Sequence, residues 1–298
     1  MKPPRRSISF FIPLLFSIPS VSFSGTLVKA VIQNYTDKNQ WSYINTSLDQ
    51  GKMRMDFSGP QTQNGYIVYD RVFSQLDSVI PAKKQVVELN QTDAGDIQAT
   101  ISQFVGELIT DTEKKNPRMK DTKESAQKEF VKALNGVAQP VKSGVSYNGY
   151  SCDLFELSGT NKSGQKEKFI QLWAVPPSML NMALEDFQAS RGLFDLCLYL
   201  IHDSLLPLGI DVDALKGYPW YREYPVMMVI YDKGKPQFIY RVLSVTPQTF
   251  TPDTFSIPQD YEKSDMLTLL KTVFSKMKAT KTESSQGVTV KLQPQGKD

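Results

Sequence analysis

Apolar and polar residues alternate along much of the stretch 26–90, which is the pattern of half-buried β-strands. Met53, Met55 and Phe57 are separated by charged residues, so the three apolar side chains are expected on one face of a strand. Short polar turns separate successive runs, and this favours antiparallel pairing of consecutive strands. The predicted strands are 27–32, 41–44, 53–57, 65–70, 73–80 and 85–89.

Two later stretches repeat apolar residues every three or four positions, which indicates amphipathic helices near 94–136 and 178–206. The second carries a continuous apolar stripe from Leu180 to Leu205, and such a stripe is typical of a core-facing helix. From Lys276 to Asp298 the chain is polar and aperiodic, which predicts a flexible tail. Further strands are predicted at 145–157, 168–175, 226–231 and 238–246.

These elements predict an α+β fold in which helices cover the apolar face of a large antiparallel sheet. We expect a single domain over residues 25–262, with helical insertions near 94–136 and 178–206. A mature chain of this length can bury a substantial core.

The N-terminus has the layout of a secretory signal peptide. A basic start with Lys2, Arg5 and Arg6 precedes an uncharged apolar run, which ends in small residues before Gly25. The run is shorter than the roughly 20 residues that a transmembrane helix needs. We therefore predict that residues 1–24 are removed near Ser24 and that the protein works in the periplasm. General secretory and twin-arginine export both remain open.

Removing this segment changes the charge of the chain. The full sequence holds 34 basic and 31 acidic residues, whereas the predicted mature chain holds 31 of each. Nucleic-acid binding needs a concentrated basic face, so no nucleic-acid partner is expected. Only Cys152 and Cys197 are present, and an even pair in an exported protein predicts a disulfide. The alternative is two separate buried thiols.

No catalytic set is recognisable in the sequence, so we expect a protein that is not an enzyme and carries no cofactor or metal. His202 is the only histidine, and nucleophile-elbow, Walker and dinucleotide-binding motifs are missing. A hydrolase with an unrecognised site is the remaining enzymatic alternative.

Five segments resemble an uncharacterised periplasmic branch of the LolA/LolB-like superfamily of lipoprotein carriers. They are Gly51-Lys52-Met53-Arg54-Met55-Asp56, Tyr66-Ile67-Val68-Tyr69-Asp70, the stretch 76–87, Gly149-Tyr150-Ser151-Cys152-Asp153 and Phe255-Ser256-Ile257-Pro258-Gln259-Asp260-Tyr261. The resemblance covers roughly residues 26–90 and 141–262. It implies a curved antiparallel sheet, an incomplete barrel, whose concave face is plugged by helices and shelters acyl chains.

The sequence also departs from that family. It carries long insertions at about 106–125 and 178–220, and Arg54 is the nearest candidate for the arginine that locks the helical lid in the carriers. Carrier activity does not follow from the fold alone.

We therefore expect an envelope protein that binds or carries a hydrophobic ligand, such as a lipid or a lipoprotein acyl chain, with transient contact with envelope membranes. The alternative is a non-catalytic scaffold or assembly protein with no ligand. Methionine and aromatic side chains suit irregular apolar ligands, although they also fill cores. The candidate ligand-binding residues are Trp41, Met53, Met55, Phe57, Tyr66 and Trp173.

Overall fold

The computed structural model describes most of the chain after residue 24. The described residues are 25–35, 37, 40–60, 64–90, 92–115, 140–160, 165–205, 216–217, 219–232 and 234–286. The predicted signal peptide, the second half of the first helical insertion and the last twelve residues lie outside them.

Twelve strands of the described residues form one curved, unclosed sheet. The spatial order is β12-β6-β5-β4-β3-β2-β1-β11-β10-β9-β8-β7. The strands are β1 Gly25–Asn34, β2 Trp41–Asp49, β3 Lys52–Ser58, β4 Gly65–Asp70, β5 Gln75–Ile80, β6 Gln85–Leu89, β7 Lys142–Tyr147, β8 Tyr150–Thr160, β9 Lys166–Val175, β10 Tyr224–Asp232, β11 Lys235–Gln248 and β12 Glu262–Asp265.

The sheet consists of two meanders, β1 to β6 and β7 to β11, which are joined where β1 pairs with β11. Neighbouring strands are antiparallel except at one edge, where β12 runs parallel to β6. The tight turn between β7 and β8 places Asn148 and Gly149 at positive φ, which suits Asn-Gly in a two-residue hairpin. The consecutive antiparallel pairing predicted from the short turns is confirmed.

Three helices of the described residues pack with this sheet: α1 Ala94–Lys115, α2 Leu184–Leu205 and α3 Met266–Gln286. Helix α2 lies on β2, β3 and β4, α1 packs beside α2, and α3 packs beside α1 and against β6 and β12. The Phe104 and Phe274 rings stack at 3.8 Å between centroids and join α1 to α3. The α+β class is therefore confirmed. None of these helices has both the length and the apolarity to traverse a bilayer.

The two faces of the sheet differ in what covers them. We call the face beneath α2 the inner face; it carries Val28, Leu48 and Met53, which are at most 2% exposed. The opposite, outer face is covered over β3 by a C-terminal segment, residues 250–261, which we call the strap. Arg54 holds the strap by donating a hydrogen bond to the carbonyl of Thr254 at 3.0 Å.

Two sequence-based boundaries differ from the structure. The helix expected from 178 begins at Leu184, because residues 177–180 form a 3-10 turn after Pro176. The tail expected from Lys276 is helical as far as Gln286. Contacts of α3 with α1 and the sheet edge anchor this helix, and the local sequence pattern does not reveal such contacts.

Candidate functional site

Three of the six predicted ligand-binding residues share the inner face, as the alternation in β3 predicted. Met53 is 2% exposed, and Met55 and Phe57 are half-buried against the main core cluster. That cluster includes Phe187 and Ala189 of α2. These side chains therefore belong to the packing between sheet and helix.

Trp41 and Tyr66 lie on the outer face. Trp41 pairs with Gln33 in β1 and packs edge to face on Tyr43, with ring centroids 4.8 Å apart. Tyr66 lies under the Arg54 guanidinium at 3.7 Å. Placing these two residues in one site with Met53 was wrong, because strand register sets which face a side chain shares with its neighbours.

Trp173 of β9 pairs with Met227 of β10 and Leu154 of β8 and packs, half-buried, against the main core cluster. It is five strands away from β3 in the sheet. The six candidates thus do not form one pocket.

The predicted disulfide is not present in the structure. Cys152 is buried on β8, where its thiol donates to the carbonyl of Tyr150 at 3.7 Å. Cys197 is exposed on α2, and α2 lies on β2 to β4. The middle one of these strands, β3, is six positions from β8 in the order of the sheet. The two thiols are therefore free in the structure, and the predicted disulfide is not confirmed.

Arg54 does not lock a helix, contrary to the role suggested by the resemblance. It forms an ion pair with Asp56 at 2.8 Å and stacks on Tyr66 on the outer face. Together with its hydrogen bond to Thr254, this geometry makes Arg54 the anchor of the strap.

A patch of apolar side chains remains partly exposed on the inner face beyond α2. We call Ile32, Ile230 and Phe238 the inner-face patch; they are 38%, 36% and 45% exposed. Phe238 pairs directly with Ile230, and Ile32 pairs with Tyr240, two residues along from Phe238. The patch therefore spans β1, β11 and β10 as one surface.

Helix α2 presents a second exposed apolar set. Phe194, Cys197 and Ile201, which we call the α2 stripe, follow one another at spacings of three and four residues. Gly192 and Tyr199 lie about 180° around the helix from this stripe, on the side next to β4. The α2 stripe therefore faces away from Gly192 and Tyr199, and the centre of the Phe194 ring lies 6.1 Å from that of the Tyr221 ring.

A polar cleft lies on the other side of α2, between the β4–β5 turn and the start of α1. It has a volume of about 550 Å³. Its lining consists of Tyr69, Arg71, Ser74, Ala94, Gly192, Asp195, Leu196 and Tyr199.

The cleft contains groups of both charges around a tyrosine hydroxyl. Burial raises the pKa of Tyr69, while a hydrogen bond from Ser74 and the charge of Arg71 lower it and Asp195 raises it. Tyr69 therefore stays protonated at neutral pH. An ideal Cβ on Gly192 would lie 2.6 Å from the Tyr69 hydroxyl oxygen, so α2 packs its backbone against this ring.

Neighbouring side chains hold Asp195 in place. The Tyr221 hydroxyl donates to Oδ1 of Asp195, and the Arg191 guanidinium lies 3.0 Å from the centre of the Tyr221 ring. Burial lowers the pKa of Arg191, and the charge of Asp195 opposes that shift. These contacts fix Asp195 at the wall of the cleft.

Three observations in the described part of the chain bear on metal and acid–base chemistry. It contains no cluster of three or more histidine, cysteine, aspartate or glutamate side chains that could hold a metal ion. His202 Nδ1 lies 2.8 Å from Oδ1 of its neighbour Asp203. Burial, with a smaller effect of Asp153, raises the pKa of Glu223 to about 7.

No protein-family model and no curated protein matches the chain significantly. Three solved structures align with this chain at low similarity. An uncharacterised conserved protein from Thermus thermophilus aligns with TM-score 0.39 and 9% identity over 82% of this chain and 91% of that chain. PNGF-II aligns with TM-score 0.36 and 10% identity over 85% of this chain and 33% of that chain. A LolA-superfamily protein from Nitrosomonas europaea aligns with TM-score 0.27 and 10% identity over 80% of this chain and 91% of that chain. These values assign neither a family nor a function.

Sequence reasoning missed both the inner-face patch and the cleft. Ile230 and Phe238 were recognised as strand residues, but their exposure depends on where α2 ends its coverage of the sheet. Arg71 and Ser74 lie in a tight turn, and only the fold brings them to Asp195. The one local signal for the cleft is the position of Arg71 in the turn after β4.

Proposed function

We propose that this chain is an exported cell-envelope protein that binds a hydrophobic ligand, a lipid or an acyl chain, on the inner face of its sheet. The ligand lies between the inner-face patch and the α2 stripe. The protein is not an enzyme in this proposal and needs no cofactor.

The observation that carries the proposal is the exposed apolar surface beside α2. Fully burying an isoleucine or phenylalanine contributes about 1.5–3 kcal/mol. Covering the exposed fractions of the three patch residues would contribute roughly 2–4 kcal/mol, which corresponds to a Kd no tighter than about 1 mM. A ligand that binds more tightly must therefore contact further apolar surface, and the exposed α2 stripe is the surface that this proposal assigns to it.

Export rests on the sequence of residues 1–24, where a basic start is followed by an apolar run and a small-residue cleavage site. N-terminal sequencing of protein recovered from the periplasm should begin at or near Gly25. An intact Met1 on the mature protein would contradict export with cleavage.

A second candidate function is a scaffold without a ligand. It is favoured by Met53, Met55 and Phe57, which were expected to contact ligand and instead pack in the core. These side chains occupy space beneath α2 in which an acyl chain was expected to lie.

Binding of the apolar fluorophore N-phenylnaphthylamine and of a fluorescent fatty acid separates the two candidates. The test variant is Phe238→Ser on the inner-face patch, and the matched control is Tyr43→Ser on the outer face, since both side chains are 45% exposed. We expect Phe238→Ser to weaken binding roughly three- to tenfold and Tyr43→Ser to leave it unchanged. Equal effects, or no probe uptake by the wild-type protein, would favour the scaffold.

A further inference from the structure

We propose that the cleft beside α2 binds a small zwitterion in which a phosphate and an ammonium group are joined by a short linker, the chemistry of ethanolamine phosphate. Arg71 takes the phosphate and Asp195 takes the ammonium. The cleft lies on the opposite side of α2 from the inner-face patch, so the inference does not depend on the function proposed above.

The phosphate side of the site is built by the β4–β5 turn. Arg71 is exposed, and within the described residues its guanidinium makes no hydrogen bond or ion pair. A guanidinium presents paired donors that match phosphate oxygens. The Ser74 hydroxyl donates to Tyr69, which leaves the Tyr69 hydroxyl proton as a further donor in the same cleft.

The ammonium side is built by α2. One carboxylate oxygen of Asp195, Oδ1, accepts a hydrogen bond from Tyr221, while Oδ2 makes none within the described part of the chain. That oxygen is available to an ammonium group. The nearby Arg191 packs over the Tyr221 ring instead of forming an ion pair with Asp195.

A positive and a negative side chain lie near the Tyr69 hydroxyl, and this arrangement favours a ligand that carries both a negative and a positive group. Arg71 and Asp195 both line the cleft that holds the Tyr69 hydroxyl. A simple anion is repelled by Asp195, and a simple cation is repelled by Arg71. A zwitterion satisfies both residues at once.

The size and rigidity of the cleft suit such a ligand. Its volume of about 550 Å³ lies within the range of small-molecule sites, about 300–1,000 Å³. Gly192 lets the α2 backbone contact the Tyr69 ring, and Tyr221 holds Asp195. The wall that carries the hydroxyl and the carboxylate is therefore set before a ligand arrives.

Isothermal titration calorimetry on the whole mature protein tests the site with four probes. Glycerophosphoethanolamine carries both groups, glycerol 3-phosphate carries the anion, ethanolamine carries the cation, and a short-chain phosphatidylethanolamine adds acyl chains. We expect glycerophosphoethanolamine to bind at least tenfold more tightly than either single-charge probe. Arg71→Gln and Asp195→Asn should each weaken its binding at least tenfold, and the exposed controls Arg222→Gln and Asp232→Asn should not.

Asp195→Asn keeps an oxygen that accepts from Tyr221, and Arg71 lies on an exposed turn, so both variants are designed to fold. Equal binding of glycerol 3-phosphate and glycerophosphoethanolamine, no binding of either, or unchanged affinity in the Arg71 variant would overturn the proposal. Much tighter binding of the short-chain lipid identifies a lipid headgroup as the source, and equal binding identifies the free headgroup. Uptake of N-phenylnaphthylamine in the same variants reports on the inner-face patch separately.

Discussion

The Thr26 hydroxyl donates a hydrogen bond of 2.7 Å to Oδ2 of Asp186, and this contact ties the first strand to the start of α2. Asp186 is 2% exposed. Burial raises the pKa of its carboxyl group to about 6; the hydrogen bond from Thr26 opposes the shift, and the charges of Asp49 and Glu185 add to it. The docking of α2 is therefore coupled to a proton.

This coupling predicts a pH-dependent stability. The pKa of Asp186 is raised from 3.8 to about 6, so the folded protein binds this proton more tightly than the unfolded chain does. The resulting stability is fully present below pH 4 and is lost as the pH rises through 6, by about 3 kcal/mol. Urea unfolding between pH 4 and pH 7 should show the free energy of unfolding falling over this window.

Asp186→Asn should flatten that part of the pH profile, since the amide does not titrate but still accepts from Thr26. The exposed Asp232→Asn is the control and should keep the wild-type slope. Glu223, whose pKa is raised from 4.5 to about 7, contributes an overlapping fall between those pH values that both variants retain, so Asp186→Asn should reduce the slope between pH 4 and 6 without abolishing it. Equal slopes in the Asp186 variant and the wild type would contradict the assignment.

Arg54 is predicted to stabilise the strap. Its guanidinium contacts Asp56, Thr254 and the ring of Tyr66. Hydrogen bonds to charged groups contribute about 1.5–3 kcal/mol, so Arg54→Ala should lower the free energy of unfolding by about that amount. Limited proteolysis should cut residues 250–261 sooner in this variant. The exposed Lys29→Ala on the same face should leave both measurements unchanged.

Features that depend on residues close together in the sequence could be predicted from it. Features that depend on contacts between distant segments could not. The alternation in Met53 to Phe57 depends on near neighbours, and this prediction is confirmed. The core-facing stripe predicted for α2 is confirmed only in part, since Phe187 and Leu198 are buried whereas Leu184, Phe194 and Ile201 are exposed. The face of Trp41 depends on its register with β1, and the helix at 276–286 depends on contacts of α3 with α1. Tyr69 and Asp195 are 126 positions apart, so no local pattern could join them.

The two cysteines should react differently with thiol reagents. Burial raises the pKa of both thiols, so accessibility is what separates them: Cys197 is exposed on α2, whereas Cys152 is buried. Native protein recovered without reductant should react rapidly at one thiol, assigned to Cys197 by mass spectrometry. Denaturation should expose the second. Denatured, unreduced protein with no reactive thiol would instead show the disulfide that the structure lacks.

Helix α3 is predicted to depend on the stacked pair Phe104 and Phe274. Removing a buried phenylalanine costs about 3–5 kcal/mol, and less is expected here because both rings are only half-buried. Phe274→Ala should therefore cost roughly 2–3 kcal/mol. The control is Val273→Ala, one position along the same helix and 40% exposed, which should cost under about 1 kcal/mol. Equal losses in chemical denaturation would mean that α3 is not held by this stack.

Gly192 is predicted to be required for the approach of α2 to Tyr69. A Cβ at this position would meet the Tyr69 hydroxyl oxygen at 2.6 Å and a ring carbon at 3.0 Å. Gly192→Ala should therefore destabilise the fold by about 1–3 kcal/mol, despite the higher helix propensity of alanine. Gly106→Ala on α1 is the matched control, because nothing lies within 4 Å of its Cβ, and it should stabilise by about 0.5–1 kcal/mol.

The double variant Gly192→Ala with Tyr69→Phe isolates the clash, since it removes the hydroxyl oxygen that the new methyl group would meet. In a thermodynamic cycle of urea unfolding, the two changes should be less destabilising together than the sum of the single changes, by about 1 kcal/mol or more. Additive effects would place the cost of the alanine elsewhere on α2. The same variant should lose the Tyr69 donor in the cleft, so glycerophosphoethanolamine should bind it more weakly even where its stability is restored.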